Sequence, residues 1–286
     1  MLEKITPNIL FMPAEARTDR PVLGLVFGKK KSFIIDAGNS PAHARQFIKK
    51  LSASRVPPPG LMGITHWHWD HTFGMSVWDI PTIAHTDTRK GLEALMEYSW
   101  DDESLDKRVE QGLEIEFCAE MIKKEFAWDR DQIKIELPEI IFPESLRIDL
   151  GGITCLIERV GGDHDSGSTV FYIPEDGVLF LGDCLGPELY APKYYYSIDK
   201  FLELLEKIRG YGAEIYIGSH GDPESSEDLE REMEGWEKIA RIIENRGKDW
   251  EGIMSQLKES LGRDPTPDDR EMIEFFLNGL EIKEGE

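Results

Sequence analysis

The 286-residue chain has only three cysteines, and Cys118, Cys155 and Cys184 lie far apart. An odd number of widely spaced cysteines does not indicate a disulfide framework. No apolar run approaches the roughly 20 residues that a membrane-spanning helix needs. The first residues also lack a basic region followed by an apolar core, the pattern of a signal peptide. These absences predict a cytoplasmic protein with no membrane partner.

Positive charge is also scarce, since 33 Lys and Arg face 55 Asp and Glu and the formal net charge is −22. Such a field repels phosphate backbones, so we expect no nucleic acid partner. It does not exclude a charged small substrate, because a bound metal ion creates its own local positive field. The composition, 40% hydrophobic and 31% charged, predicts a globular chain that forms one large α/β domain with or without a small appendage.

Histidine is rare, but three of the seven histidines fall within six residues. The run Thr65-His66-Trp67-His68-Trp69-Asp70-His71 places His66, His68, Asp70 and His71 together. This run is too rich in groups that bind metals to be ordinary core or surface. It predicts a metal site that activates water.

The apolar patterns predict alternating strands and helices. We expect strands at residues 23–27, 32–36, 61–65, 81–84, 133–137, 146–150, 153–160, 170–173, 178–181 and 215–218, and helices at 41–52 and 198–208. The first two strands form a hairpin in this interpretation, and the strands at 170–173 and 178–181 form another pair.

Two segments differ from this pattern. Residues 86–129 are rich in Glu, Lys, Leu and Met, and we interpret them as an insertion of two helices near the mouth of the site. Residues 224–286 are predicted to form a C-terminal extension of three helices. This extension covers the substrate or mediates formation of a homo-oligomer. Residues 1–223 form the main domain in this interpretation.

Further candidate ligands follow predicted strands, at the position where α/β proteins often build their sites. His164 lies in a Gly-rich loop, Asp183 directly follows one strand, and His220 follows the last strand. The two other histidines, His43 and His85, are interpreted as ordinary structural residues.

The order of these groups resembles that of the metallo-β-lactamase-fold superfamily. The chain has the run His-x-His-x-Asp-His, then Gly-x-His-x-x-Gly-Ser, then Gly-Asp, then a late His after a strand. Asp36-Ala37-Gly38 matches the first motif of that superfamily. The resemblance covers residues 23–222 and implies a four-layer αβ/βα sandwich, here with a helical insertion and a helical C-terminal tail.

The resemblance also implies two adjacent positions for divalent metal ions, with zinc preferred and manganese or iron as alternatives. The first position takes His66, His68 and His164, the second takes Asp70, His71 and His220, and Asp183 bridges the two. Asp70 is expected to manage a proton as well. Asp36 is expected to hydrogen-bond a ligand or the loop backbone instead of binding metal.

These expectations favour a hydrolase whose metal-bridging hydroxide attacks a small-molecule ester, thioester, lactone, amide or phosphoester. An iron oxidoreductase of the same fold, sulfur dioxygenase-like or flavo-diiron-like, is the alternative, although flavo-diiron relatives usually carry Glu where this chain has His68. An RNase Z-type nuclease fits the acidic composition poorly, and a non-enzymatic scaffold fits the full ligand set poorly. Glyoxalase II-like thioester hydrolysis would need a basic trio that the tail does not show.

Several other residues near the predicted ligands have two interpretations each. Trp67 and Trp69 pack beneath the cluster, Asp165 caps its loop or adds a polar group to the pocket, and Cys184 is a buried apolar residue or a soft ligand. Four tyrosines line the mouth or pack at the surface, and in some lactone-cleaving relatives one such tyrosine assists the carbonyl oxygen: Tyr190, Tyr194, Tyr195 and Tyr196. The sequence does not identify the substrate-binding residues.

Overall fold

Two β-sheets pack face to face in the computed structural model, which describes residues 2–54 and 56–285. The first sheet contains, in spatial and chain order, β1 (Glu3–Thr6), β2 (Ile9–Met12), β3 (Leu23–Phe27), β4 (Ser32–Ile35), β5 (Pro59–Gly63), β6 (Thr82–His85) and β7 (Ile140–Phe142). The second contains β8 (Ser145–Asp149), β9 (Thr154–Arg159), β10 (Thr169–Ile173), β11 (Val178–Gly182), β12 (Ile215–Gly218) and β13 (Glu224–Ser225). Its spatial order is β13-β12-β11-β10-β9-β8.

Helices cover the outer faces of both sheets. The described residues form α1 (Pro41–Ser52), α2 (Trp69–Thr72), α3 (Thr86–Leu95), α4 (Asp102–Glu110), α5 (Glu116–Phe126), α6 (Ile198–Gly210), α7 (Ser226–Arg246), α8 (Trp250–Leu261) and α9 (Pro267–Gly285). Within the described residues, no helix combines the length and the apolar character that a membrane crossing requires.

The alternation of side chains along each strand produces the layers. In β10, Phe171 and Ile173 point into the core between the sheets, whereas Val170 and Tyr172 pack outward against the helices. Successive strand residues face opposite sides of a sheet, so the side chains of a strand of continuous apolar residues pack into two cores. The described residues form three such cores, one between the sheets and one under each helical layer. The predicted four-layer αβ/βα sandwich is confirmed.

Two glycines allow the sheets to approach each other closely. A Cβ atom at Gly24 would lie 2.7 Å from the ring of Phe180, and a Cβ at Gly63 would lie 2.4 Å from the ring of Phe171. Both glycines are therefore required by the space between the sheets, because those rings are part of the central core.

The C-terminal helices share one core with the second sheet. Leu229 and Met233 of α7, Ile253 of α8 and Phe276 of α9 are buried in the same cluster as Leu179 of β11. The predicted three helices are confirmed within the described residues. The predicted division at residue 223 stays a prediction.

Most of the predicted elements are present, including the hairpin of β3 and β4 and the pair of β10 and β11, both antiparallel. The strand predicted at 133–137 is wrong, because these residues form no strand. Ile133, Ile135 and Leu137 alternate as in a strand, but they pack against the helical layer of the first sheet and pair with no neighbour. The real strand, β7, begins two residues after Pro138.

The insertion at 86–129 contains three helices, not the two that were predicted. After α3 ends, a new helix, α4, begins directly after Asp101. The carboxylate of Asp101 accepts a hydrogen bond from Ser104 N at 2.9 Å and caps this helix. Ser, Thr, Asp and Asn are the usual residues at this position, so the signal was present in the sequence. Strands β1 and β2 were also not predicted.

Candidate metal centre

The predicted ligands lie at one edge of the molecule, where strands of both sheets end. Asp36 follows β4 and the histidine run follows β5, and these two strands are parallel. Asp183 follows β11 and His220 follows β12, which are also parallel. Parallel strands bring their carboxyl ends to the same edge of a sheet, so four separate segments meet here. His164 joins them from the loop between β9 and β10.

The histidine run folds into a short turn of helix. His68 precedes α2, and Thr72 Oγ1 donates to the carbonyl oxygen of His68 at 2.9 Å. The backbone N–H of Ala37 donates to the carbonyl oxygen of His71 at 2.9 Å, which ties the end of β4 to this turn. The turn separates the side chains into two groups, with His66 and His68 on one side and Asp70 and His71 on the other.

The first group consists of three buried imidazoles. The Nε2 atoms of His66 and His164 lie 3.2 Å apart, and the ring of His68 lies 4.4 Å from that of His66 and 4.6 Å from that of His164. The Nε2 atom of His68 is buried and has no hydrogen-bond partner among the described residues. A buried ring nitrogen without a partner is costly, and three converging imidazoles are a donor set that zinc and similar ions accept.

The second group contains two histidines and two carboxylates. Asp70 Oδ2 lies 2.9 Å from His71 Nε2 and 3.2 Å from His220 Nε2. Asp183 Oδ2 lies 3.2 Å from His71 Nε2 and 3.5 Å from His220 Nε2. The ligand atoms within each group lie within 4.8 Å of one another, so each group could hold a metal ion.

Asp183 lies between the two groups. Its Oδ2 atom is also 3.8 Å from His66 Nε2 and 3.7 Å from His164 Nε2. One carboxylate oxygen therefore lies within 4 Å of a ring nitrogen from four histidines, two from each group.

The outer nitrogens of these rings are held by the protein. His71 Nδ1 donates to Asp36 Oδ2 at 2.8 Å, and His164 Nδ1 donates to the carbonyl oxygen of Pro187 at 3.2 Å. When Nδ1 carries the proton, Nε2 presents its lone pair to the centre, which is the form that binds a metal. Asp36 also accepts from the backbone N–H of Thr65 at 2.8 Å.

Burial controls the protonation of the first group. It lowers the pKa of His66 and His68 well below the usual value, and it lowers the pKa of His164 as well. The neighbouring imidazoles add to this effect. All three rings are therefore neutral at pH 7, as metal ligands must be.

In the second group, the carboxylates determine the protonation of the histidines. Burial opposes protonation of His71 and His220, but Asp70 and Asp183 outweigh it and raise the pKa of both rings well above the usual value. Burial likewise disfavours ionisation of Asp70 and Asp183, but the two histidines hold the pKa of both carboxyls well below the usual value. Without a metal, the two protonated rings therefore balance the two carboxylates, and a bound cation would take the place of their protons.

The other residues singled out in the sequence lie outside these two groups. Asp165 caps its loop by accepting from Gly167 N at 2.8 Å, and it accepts from Trp67 Nε1 at 2.6 Å. Cys184 is 1% exposed and packs in the outer core of the second sheet. His43 is buried, and His85 caps α3 by accepting from Asp87 N at 3.1 Å.

The tyrosines that follow Asp183 have structural contacts. Tyr190 packs its ring 5.3 Å from that of His68 and donates to Glu114 Oε1 at 3.4 Å. Tyr196 donates to the carbonyl oxygen of Leu185 at 3.0 Å. In the described part of the chain, none of the four tyrosines lines the cavity that opens onto the metal centre.

Two residues at the centre were missed in the sequence. Thr65 Oγ1 lies 3.0 Å from Asp36 Oδ2, 3.1 Å from His66 Nδ1 and 3.2 Å from His71 Nδ1. Asp19 Oδ1 lies 3.4 Å from His220 Nδ1. Thr65 directly precedes the histidine run, and this position was a usable signal. Asp19 is remote in sequence and has no motif around it.

A cavity of about 390 Å³ opens onto the centre and exposes His68, Asp70, His164, Asp183 and His220 to a ligand. A pocket of this volume can hold a small organic molecule. The insertion and α7 both contribute to its walls, through Ile115 and Phe117 and through Leu229 and Trp236. This position near the mouth of the site is the one expected for the insertion.

Comparison with known sequences and structures agrees with this geometry. The sequence profile of the metallo-beta-lactamase superfamily matches residues 19–220. None of the curated proteins compared with the chain matches its sequence significantly.

Solved structures with the same fold include two metallo-beta-lactamases and a sulfatase. The enzyme from Pontibacter korlensis is 17% identical, with a TM-score of 0.56 over 82% of this chain and 97% of that chain. The DIM-1 metallo-beta-lactamase is 20% identical, with a TM-score of 0.55 over 81% and 94%. The stereoselective inverting sec-alkylsulfatase Pisa1 from Pseudomonas sp. is 13% identical, with a TM-score of 0.63 over 86% of this chain and 42% of that chain.

Proposed function

The chain belongs to the metallo-β-lactamase superfamily, and from this premise we propose that it is a metal-dependent hydrolase of a small molecule. In this proposal the protein holds two divalent ions, zinc in the first instance, with manganese or iron as alternatives. The residues of the two groups would hold these ions, with Asp183 available to both: His66, His68 and His164 for the first, and Asp70, His71 and His220 for the second.

The position of Asp183 carries the proposal. Its Oδ2 atom lies 3.2–3.8 Å from the Nε2 atoms of four histidines that belong to two separate groups. A carboxylate can bridge two cations, and this carboxylate oxygen lies between the imidazoles of the two groups. The unpartnered Nε2 atom of His68 supports the same assignment.

When bound, two such ions supply Lewis acidity, which activates water near neutral pH and polarises the oxygen of a substrate carbonyl or phosphoryl group. The protein contributes orientation. Asp36 and Thr65 hold the outer nitrogens of His71 and His66, so that Nε2 faces the centre. Asp70 lines the cavity, where its carboxylate can hold the proton that an attacking water loses.

A substrate screen tests this proposal. Protein stripped with a chelator and reloaded with Zn, Mn or Fe is assayed on esters, lactones, thioesters, amides and phosphodiesters. A β-lactam and an alkyl sulfate are included because structures of the same fold come from enzymes with those names. We expect metal-dependent hydrolysis in at least one class, and no turnover in Asp183→Asn. The control His85→Gln, which changes a structural histidine, keeps its activity.

Measurement of oxygen uptake in the same reactions distinguishes a hydrolase from the alternative, an iron oxidoreductase of the same fold. Tight binding of iron together with substrate-dependent oxygen uptake and no hydrolysis would show that the protein is an oxidoreductase of this fold.

A further inference from the structure

The cleft above the candidate ligands has a mostly apolar wall. This wall is built by side chains from the insertion, from the loop after β11 and from α7: Ile115, Phe117, Leu185, Leu189, Leu229 and Trp236. Three distant parts of the chain thus supply the apolar side chains of the cleft. Burial of a ligand's apolar surface against it is favourable in proportion to the area covered.

The charged groups in the cleft are all acidic apart from the candidate histidine ligands. Asp19 and Glu224 line it in addition to the ligands Asp70 and Asp183. Among the described residues that line the cleft, none is Lys or Arg. Arg20, next to Asp19 in sequence, is held in an ion pair with Glu125 at 2.7 Å. An anionic group on the body of a substrate would therefore lie beside carboxylates without a basic side chain to pair with.

The apolar end of the cleft is closed by two side chains. Leu185 and Trp236 line the cleft and also line a second cavity of about 200 Å³. The second cavity lies against α9, with Met272 and Phe275 in its wall. Trp236 is fixed by packing against Phe201, with ring centroids 6.2 Å apart. The side chains of Leu185 and Trp236 therefore lie between the cleft and the second cavity.

We propose that the cleft takes an uncharged carbonyl substrate with an apolar acyl chain, namely a neutral ester, thioester or lactone, and that Leu185 and Trp236 set the length of that chain. This inference rests on the proposed hydrolase function and narrows its substrate.

The reaction is a balanced hydrolysis. The oxygen of water bonds to the acyl carbon, the bond from that carbon to the leaving oxygen or sulfur breaks, and the leaving group takes a proton. The products are a carboxylic acid and an alcohol or thiol, and no oxidant or reductant is needed. The acid then ionises and leaves as its anion.

A chain-length series tests the substrate class. For p-nitrophenyl esters from acetate to myristate, we expect kcat/KM to rise by up to about fourfold per added methylene. The rise should stop and reverse once the chain meets the wall. An ester of the preferred length that ends in a carboxylate should react at least about tenfold more slowly, because its charge is left unpaired.

Variants of the wall test the assignment of its residues. Trp236→Ala opens the cleft into the second cavity, so the preferred acyl chain becomes longer and KM for long esters falls more than kcat changes. Leu185→Ala opens the same wall from the other side and serves if Trp236→Ala folds poorly. Trp250→Ala, on α8 and 41% exposed, is the matched control and leaves the preferred length unchanged.

A binding measurement on metal-free protein tests the ligand preference of the cleft independently of catalysis. By calorimetry, octan-2-one should bind at least about tenfold more tightly than octanoate, which has a similar chain and a full negative charge. Equal binding, or tighter binding of octanoate, overturns the inference.

The two proposals fail in different ways. If no ester, thioester or lactone reacts with any of the metals, the hydrolase proposal fails for these substrates, and this inference about the substrate fails with it. If esters are hydrolysed but the rate does not depend on chain length, or anionic esters react faster, the inference about the cleft is wrong and the hydrolase proposal stands.

Discussion

Asp36 and Thr65 form the link between the first sheet and the histidines. Thr65 Oγ1 lies within hydrogen-bond distance of both carboxylate oxygens of Asp36, at 3.0 and 3.1 Å. Asp36 itself has a left-handed backbone, with φ of 62°. A residue other than glycine is uncommon in that conformation, and such residues concentrate at functional sites. In this backbone conformation, the carboxylate of Asp36 is directed toward His71.

Replacement of Asp36 by Asn tests this role. The variant keeps the shape of the side chain but weakens the acceptor for His71 Nδ1–H, so we expect metal affinity to fall about 10- to 100-fold. Competition with a chromophoric zinc chelator measures the change. Asp131→Asn, at an exposed position, is the control, and an unchanged affinity in Asp36→Asn would show that Asp36 does not orient a ligand.

His43 gives the protein a pH-dependent stability that is separate from the metal centre. Burial, assisted by Arg20 and opposed by Glu125, lowers the pKa of His43 to about 3. Its Nδ1 accepts from Asn39 N at 3.4 Å, which requires a neutral ring. The unfolded chain takes up a proton near pH 6.5 and the folded chain does not. This contribution to stability is therefore complete above about pH 6.5 and is lost as the pH falls from there toward 3.

We expect this one residue to make metal-free protein about 2 kcal/mol less stable at pH 5 than at pH 7.5. Urea unfolding at both values, for the wild type and for His43→Gln in the presence of chelator, isolates the contribution. The difference between the two pH values should be smaller in the variant by that amount. Equal differences in the two proteins would mean that His43 is accessible to protons in the folded state.

The seven candidate ligands could be named from sequence because each belongs to a motif with its own residues around it. Asp19 could not, since one carboxylate in a loop has no such pattern. The apolar wall was missed for a different reason. Ile115, Leu185 and Trp236 are unremarkable where they stand in the sequence, and only folding brings them to one surface.

At the scale of elements, the strand ends determine where the ligands lie. The parallel pairs β4–β5 and β11–β12 carry Asp36, the histidine run, Asp183 and His220 to one edge. The order of motifs along the chain was enough to predict this arrangement. The false strand at 133–137 shows the limit of such patterns, because alternating apolar residues serve equally well to anchor an irregular segment on a helical layer.

The two glycines of β5 provide a matched test of sheet packing. Gly63→Ala places a Cβ atom 2.4 Å from Phe171, whereas a Cβ at Gly60 meets nothing within 4 Å. We expect Gly63→Ala to lower the free energy of unfolding by about 1–3 kcal/mol, because the core between the sheets must shift. Gly60→Ala should be nearly neutral. Urea denaturation measures both, and similar values for the two variants would contradict this account of the interface.

At the scale of the whole molecule, the candidate metal ligands come from both halves of the sandwich. Asp36 and the run from His66 to His71 come from the first sheet, whereas His164, Asp183 and His220 come from the second. A ligand that binds only the folded state stabilises it by mass action. Metal ions bound across this junction should therefore oppose unfolding of the entire chain.

Thermal unfolding with and without chelator tests this coupling. At a metal concentration about 1,000 times the Kd, the gain is about 4 kcal/mol, which appears as a higher Tm in the loaded protein. Asp183→Asn should lose most of this gain. A loaded wild-type protein whose Tm does not exceed that of the chelated protein would show that no ion joins the sheets.

The most direct test of the central claim is the number of metal ions per chain, measured by mass spectrometry of the elements after equilibrium dialysis against zinc. We predict two ions in the wild type and in the control His85→Gln. His164→Ala and His220→Ala should each retain about one ion, because each loses a ligand from a different group. A wild type that binds one ion or none, or two ions retained in both variants, would contradict the account.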